Sequence, residues 1–206
     1  MRIENHQLIA PQVEYEWSPN HSGPFAGGVP DTIILHYTAL ATRASAVRIL
    51  SDPQREVSAH LVVGRDGAIT QLLPFNTIGW HAGRSSWQGQ KEFNRRSVGI
   101  EIDNAGRLQE RHGDLYTWFE RRIDSSDAVQ GVHRHETGTC WWHRFADVQL
   151  QVVEQLCHLL AATYPLHYVL GHEEVAPQRK TDPGPAFPLD ALRQRVMDAS
   201  TRKLLV

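Results

Sequence analysis

The apolar positions of this chain change period several times, and each change marks an element. Thr32-Ile33-Ile34-Leu35 is an unbroken β-branched and apolar run closed by His36, the pattern of a strand buried on both faces with a polar residue at its exit. In residues 41–52, Ala46, Val47, Ile49 and Leu50 fall on one face of a helix, which Asp52-Pro53 stops. Two short runs, Ala59 to Val63 and Ala68 to Leu73, flank Gly64-Arg65-Asp66-Gly67 and predict a β-hairpin turned at Asp-Gly. Ser97 to Ile102 is a further apolar run with an acid, Glu101, embedded in it, and it reads as a central strand. Between Phe145 and Tyr164, Val148, Val152, Leu156, Leu159 and Leu160 form one stripe of a long helix ended at Tyr164-Pro165. Tyr168-Val169-Leu170 predicts a short strand leading into Gly171-His172, and Pro188 to Ala199 a last helix with Leu189, Leu192 and Val196 inward.

Two stretches lack a period. Residues 1–30 mix Pro, Gly, Asn and His and read as an irregular arm. Residues 104–143 are polar and studded with aromatics, predict a short helix only over Leu115 to Ile123, and read as an insertion or lid. The expected organisation is one α/β domain over residues 31–199, a central mixed β-sheet flanked by helices, with a frayed tail at 200–206.

Composition narrows the function. With 21 basic and 23 acidic residues and no long run of either sign, nothing in the charge calls for nucleic acid or an anionic membrane as partner. The first residues have no basic start followed by an apolar stretch, and no 18-residue apolar run occurs, so a cytoplasmic, unanchored chain is expected. Two cysteines, Cys140 and Cys157, are no disulfide framework and are read as thiols. Twelve histidines beside six tryptophans suggest metal or proton chemistry.

The candidate chemistry gathers at strand ends. His36 and His172 each end a predicted strand, and Asp182 follows ten positions after His172 within Arg179-Lys180-Thr181-Asp182-Pro183-Gly184-Pro185. Two imidazoles and a carboxylate leave one tetrahedral position open, the donor set of a catalytic zinc. Spacing alone does not separate this reading from three ordinary core or cap residues. Glu101 suits a general base beside such a metal, against a structural pairing with Arg95 or Arg96. His133-x-His135-x4-Cys140-x2-His143 fits no defined finger pattern as a second metal site, and Trp141-Trp142 suits packing or stacking.

Taken in order, ILHYTA, VSAHLVVGRDGAITQLLPF, GWHAG, SVGIEIDN and GHEEVAPQRKTDPGPAF resemble the type-2 N-acetylmuramoyl-L-alanine amidases, the AmpD- and AmiD-like group that shares its fold with peptidoglycan recognition proteins. The resemblance runs from about Ile33 to Phe187 and is interrupted after Asn104. It implies zinc held by His36, His172 and Asp182, Glu101 as general base and Lys180 as oxyanion stabiliser. Without it Lys180 would read as a solvated surface charge. It further implies substrate contact from Trp80 and His81 of the WHAG motif and from Asn94 and Arg95, with His60 a packed, hydrogen-bonded histidine that could also orient Glu101. The substrate class implied is peptidoglycan fragments or muropeptides, cut between N-acetylmuramic acid and L-alanine. The alternative is a module on the same fold that binds muropeptides without cutting them.

Overall fold

The structure, a computed structural model, describes residues 1–11 and 13–203, with side chains through Asp198. Its centre is a six-stranded mixed sheet of β1 (Val13–Tyr15), β2 (Thr32–Tyr37), β3 (Leu61–Val63), β4 (Ile69–Gln71), β5 (Ser97–Ile102) and β6 (Tyr168–Gly171), in the order β6-β2-β5-β3-β4-β1. Strands β6, β2, β5 and β3 run parallel, β3 and β4 form the predicted antiparallel hairpin, and β1 lies parallel to β4 at the edge. The hairpin closes at Gly67, which takes a left-handed φ of +79° that costs glycine little.

Strand β2 is buried on both faces, as its continuous apolar run requires. Ile33 and Leu35 enter the main core with Val98 and Ile100 of β5, beneath α2 (Asp147–Thr163) and α4 (Leu189–Lys203). Ile34 faces the other way, packing with Ala82, Phe93, Leu170 and Val175. Alternation along β2 sends His36 to that second face. Glu101 and Val62 lie opposite each other and beside His36 in register, so all three share the face. Helix α1 (Arg43–Leu50), capped by the Thr42 side chain on the Ser45 N–H, packs Ala46 and Leu50 against Val62 there. A short helix, α3 (His172–Val175), follows β6 directly.

Three expectations need correction. The first thirty residues are not an irregular arm. They hold a hairpin of Arg2–Glu4 with Gln7–Ile9, the sheet strand β1, and His21–Pro24 paired with Thr77–Gly79. Leu8 is fully buried, and its N–H donates to the buried Gln71 side chain at 2.7 Å. Residues 104–143 form two small antiparallel sheets, and the helix expected over Leu115 to Ile123 is absent. Asp114–Tyr116 pairs with Gln109–Arg111 and Arg122–Ile123, while Ala128–Val132 pairs with Thr139–His143. A helix would have stacked Leu115 with Trp118 and Phe119. Instead Glu120 turns the chain at φ +65°, and Leu115 and Ile123 meet Leu108 and Ala128 in a satellite core. The last helix also runs through Lys203, over part of the tail expected to fray, and 204–206 lie outside the described residues. Among the described residues no helix is long and apolar enough to cross a membrane.

Candidate metal centre and active-site cleft

Three adjacent parallel strands deliver the predicted site residues to one edge. Glu101 is in register with His36, and Gly171 with Leu35, so His172 leaves β6 level with both. This is the carboxyl-end edge at which open α/β sheets bind ligands. The α3 turn then brings Asp182 back, its carbonyl accepting from the Glu173 N–H at 2.8 Å.

His36 Nδ1 lies 2.9 Å from His172 Nδ1 and 2.9 Å from Asp182 Oδ2, and His172 Nδ1 lies 3.0 Å from the same oxygen. All three residues are buried. The outer ring nitrogens decide the tautomers. His172 Nε2 faces the Ala82 carbonyl at 3.2 Å, and His81 Nε2 faces the Ser97 carbonyl at 3.3 Å. Carbonyls only accept, so both nitrogens carry protons. His81 Nδ1 is then an acceptor, and His36 Nε2, 3.1 Å away, donates to it. Two bare Nδ1 lone pairs and a carboxylate oxygen therefore converge with no hydrogen between them. Such a triangle is repulsive until a cation occupies it, and its edges approach the ~3.3 Å between donors set ~2.0 Å from a tetrahedral zinc. The charges agree. Burial, then the neighbouring His172, push the His36 pKa down to about 4, which keeps the ring neutral. Among the described residues this is the one cluster of three such donors.

Glu101 stands next to this triangle. Its Oε2 is buried and has no hydrogen-bond partner among the described residues. Burial first, then the Asp182 carboxylate, raise its pKa well above the usual value, with Lys180 acting in the opposite sense. Neither arginine considered as a partner reaches it. Arg96 donates to Asp31, and Arg95 lies 3.5 Å from Glu92.

Residues 26–185 match the N-acetylmuramoyl-L-alanine amidase family. The chain belongs to that family. It is 31% identical over 150 residues to the 1,6-anhydro-N-acetylmuramyl-L-alanine amidase AmpD of Citrobacter freundii, covering 72% of this chain and 62% of AmpD. It is 31% identical over 176 residues to the N-acetylmuramoyl-L-alanine amidase AmiD of Escherichia coli, covering 81% of this chain and 53% of AmiD. The chain thus spans less than two thirds of the length of these curated relatives. The structure of AmiD in complex with anhydro-N-acetylmuramic acid-L-Ala-D-gamma-Glu-L-Lys superimposes with a TM-score of 0.61 at 31% identity, over 81% of this chain and 57% of that one. A selenomethionine AmpD derivative gives a TM-score of 0.64 over 94% and 99% of the two chains, at 23% identity, a likeness of fold.

In this member of the family the candidate metal triangle opens into a cleft of about 360 Å³, bordered by Glu101, Lys180 and Trp80 and walled by α1 residues Ala46, Ile49 and Leu50. A second cavity of about 440 Å³ lies beyond Trp80, lined by Arg84, Lys91, Asn94 and Arg95. His81 borders the cleft, and both its ring nitrogens are engaged, Nδ1 with His36 Nε2 and Nε2 with the Ser97 carbonyl, so its ring backs the candidate ligand His36. Gly99 permits this, since a Cβ there would sit 2.5 Å from the His81 ring. Asn94 Oδ1 is likewise occupied, accepting from the N–H groups of His81 at 3.1 Å and Ala82 at 2.7 Å. His60 is the packed histidine expected by default. Its Nδ1 accepts from Gly99 N–H at 3.0 Å, its Nε2 donates to the Thr77 carbonyl at 2.8 Å, and it does not hold Glu101.

Sequence reasoning overlooked Tyr37, whose hydroxyl meets the Thr181 hydroxyl at 2.7 Å, and Arg179, which donates to the Ala82 carbonyl at 2.8 Å and ties the WHAG turn to the Asp182 turn. No residue of 104–143 lines the cleft. The segment reaches its rim through Trp118, 57% exposed, whose indole donates to the Ala39 carbonyl at 2.7 Å. Trp142 is buried, and Trp141 packs on the satellite core. His133, His135, Cys140 and His143 do not converge: His133 and His135 turn to Glu173, and His143 accepts from the Ala105 N–H. Both cysteines are free.

Proposed function

We propose that this chain is a zinc-dependent amidase that hydrolyses the bond between N-acetylmuramic acid and L-alanine in peptidoglycan or anhydromuropeptides. The observation that carries the reading is the triangle of acceptors at His36, His172 and Asp182 with the buried, unpartnered Oε2 of Glu101 beside it. These three residues would hold the ion, and when bound it supplies Lewis acidity and lowers the pKa of water. The remaining steps belong to side chains. Glu101, free of any arginine, takes a proton from the attacking water as it adds to the lactyl carbonyl. The Lys180 ammonium, across the cleft, stabilises the oxyanion that develops. The carboxylic acid form of Glu101 then returns the proton to the L-alanine amine, and the peptide departs.

Trp80 separates the two cavities and offers its ring to the substrate at their junction, its indole N–H tied to Ser22 at 2.8 Å. Arg84, Lys91 and Arg95 outnumber Glu92 in the lining of the second cavity and give it a net positive charge suited to the carboxylates of a stem peptide, with Asn94 shaping its wall. The ligand seen in AmiD, a sugar joined to a short acidic peptide, has this polarity. Purified protein incubated with anhydromuramyl-tripeptide, with and without a chelator, tests the proposal. Release of a peptide with a free L-alanine amine, abolished by chelation and restored by zinc, is expected. Intact substrate in the presence of zinc would refute it.

A further inference from the structure

Glu173, the residue after the candidate ligand His172, is 2% exposed and saturated with donors. His133 Nε2 approaches its Oε2 at 2.7 Å, Arg134 Nε donates to Oε1 at 2.8 Å, and Gly184 N–H donates to Oε2 at 3.2 Å. Its backbone is also engaged at both ends. The N–H donates to the Asp182 carbonyl at 2.8 Å, and the carbonyl faces His135 Nε2 at 3.0 Å. One carboxylate thus joins the turn carrying Lys180 and Asp182 to the hairpin of Ala128–Val132 with Thr139–His143. Neighbouring Glu174 repeats the arrangement, accepting from Arg134 at 2.6 Å, Arg193 at 2.5 Å and the Gly171 N–H at 2.9 Å.

Packing reinforces the joint. His133 stacks on Trp142 with centroids 5.9 Å apart, and Arg107 also lies over the Trp142 ring, its guanidinium carbon 4.8 Å from the centroid. Trp142 lies so close over Gly184 that a Cβ there would come within 2.8 Å of its ring, and Pro185 fills the space above Gly131 in the same way. The hairpin tip therefore grips both sides of Asp182, through Glu173 before it and through Gly184-Pro185 after it. A carboxylate this deeply buried persists because it is hydrogen-bonded, and its side-chain partners His133 and Arg134 come from a segment that lines none of the cleft.

We propose that Glu173, clamped by His133 and Arg134 of the 104–143 insertion, is a positioning residue that holds Asp182 in the metal triangle, so that the insertion sets metal affinity from behind the site. The inference rests on the zinc reading above. Partners behind a ligand tune metal affinity by ~10–100-fold, and that is the effect expected here.

The test is the zinc dissociation constant, by chelator competition, of the full chain and of Glu173→Gln, His133→Phe and Arg134→Met. The phenylalanine keeps the stack on Trp142 and removes the bond to Glu173, along with a longer contact from the His135 N–H at 3.4 Å. The Arg134 change lies on a partly exposed side chain and keeps the comparison available if Glu173→Gln fails to fold. The cobalt-substituted proteins give a second readout, since a displaced Asp182 alters the visible d–d spectrum while a merely looser fold does not. Zinc binding weakened 10–100-fold in folded variants, with an altered cobalt spectrum and a smaller zinc-induced rise in Tm, is the result expected. Variants that fold and match the parent in zinc affinity and cobalt spectrum overturn this inference and leave the zinc reading standing. A parent chain that binds no zinc overturns both.

Discussion

Replacing Glu101 by glutamine should slow catalysis and stabilise the metal-free fold at the same time. Glutamine keeps the size of the side chain and removes both the charge and the proton acceptor. Loss of a general base costs ~10²–10⁴ in turnover, equivalent to about 3–6 kcal/mol of barrier at ~1.4 kcal/mol per decade. Zinc content should be unchanged, because Glu101 is not part of the triangle. Stability moves the other way, since a buried carboxylate oxygen without a partner costs on the order of 1–3 kcal/mol. The sign follows from the raised pKa. The unfolded chain ionises Glu101 near ~4.3, while burial and Asp182 hold the folded carboxyl protonated to higher pH. The parent's metal-free fold is thus unpenalised below the unfolded pKa and loses stability as pH rises towards the folded one. Urea melts of the stripped proteins should nearly coincide at pH 4–5 and diverge in favour of Glu101→Gln above it. The reasoning is wrong if the variant turns over within threefold of the parent, or if its stripped form is the less stable at pH 8.

Alanine at His36, His172 or Asp182 should each remove stoichiometric zinc, read by plasma emission; full zinc in all three would discard the site. Lys180→Met should retain zinc and lose ~10²–10³ in kcat, the span of a removed oxyanion partner, and an unchanged kcat would deny it that role. Gly99→Ala should weaken zinc binding by ~10–100-fold by displacing His81 from His36 and destabilise the fold by ~1–3 kcal/mol through overpacking. Calorimetry and chelator competition measure the two effects, and normal values for both would show that His81 yields without consequence.

The central sheet was legible because its strands are dictated locally. The apolar run before His36, the Asp-Gly hairpin and the acid within Ser97–Ile102 each signal strand and exit residue, and parallel pairing then brings His36, Glu101 and His172 to one edge. What stayed hidden depends on contacts distant in sequence. Nothing in the spacing of residues 36 and 81 announces that one imidazole backs the other. The small sheets of 104–143 are held by a few buried residues such as Leu115 and Ile123, too sparse to impose a period. The run of His133, His135, Cys140 and His143 fits no defined metal pattern, and only the folded chain shows that His133 and His135 turn to Glu173. The N-terminal strands contain as few as three residues each, too few to show a period, and of these only Val13–Tyr15 joins the central sheet.

The most direct test of the account is hydrolysis of anhydromuramyl-L-Ala-D-γ-Glu-L-Lys by the zinc-loaded protein in H₂¹⁸O, with products identified by mass spectrometry. Water attack at the lactyl carbonyl predicts one ¹⁸O in the carboxylate left on the muramyl sugar and an unlabelled tripeptide with a free L-alanine amine. Label in the peptide, cleavage at another bond, or equal turnover after zinc removal would contradict it.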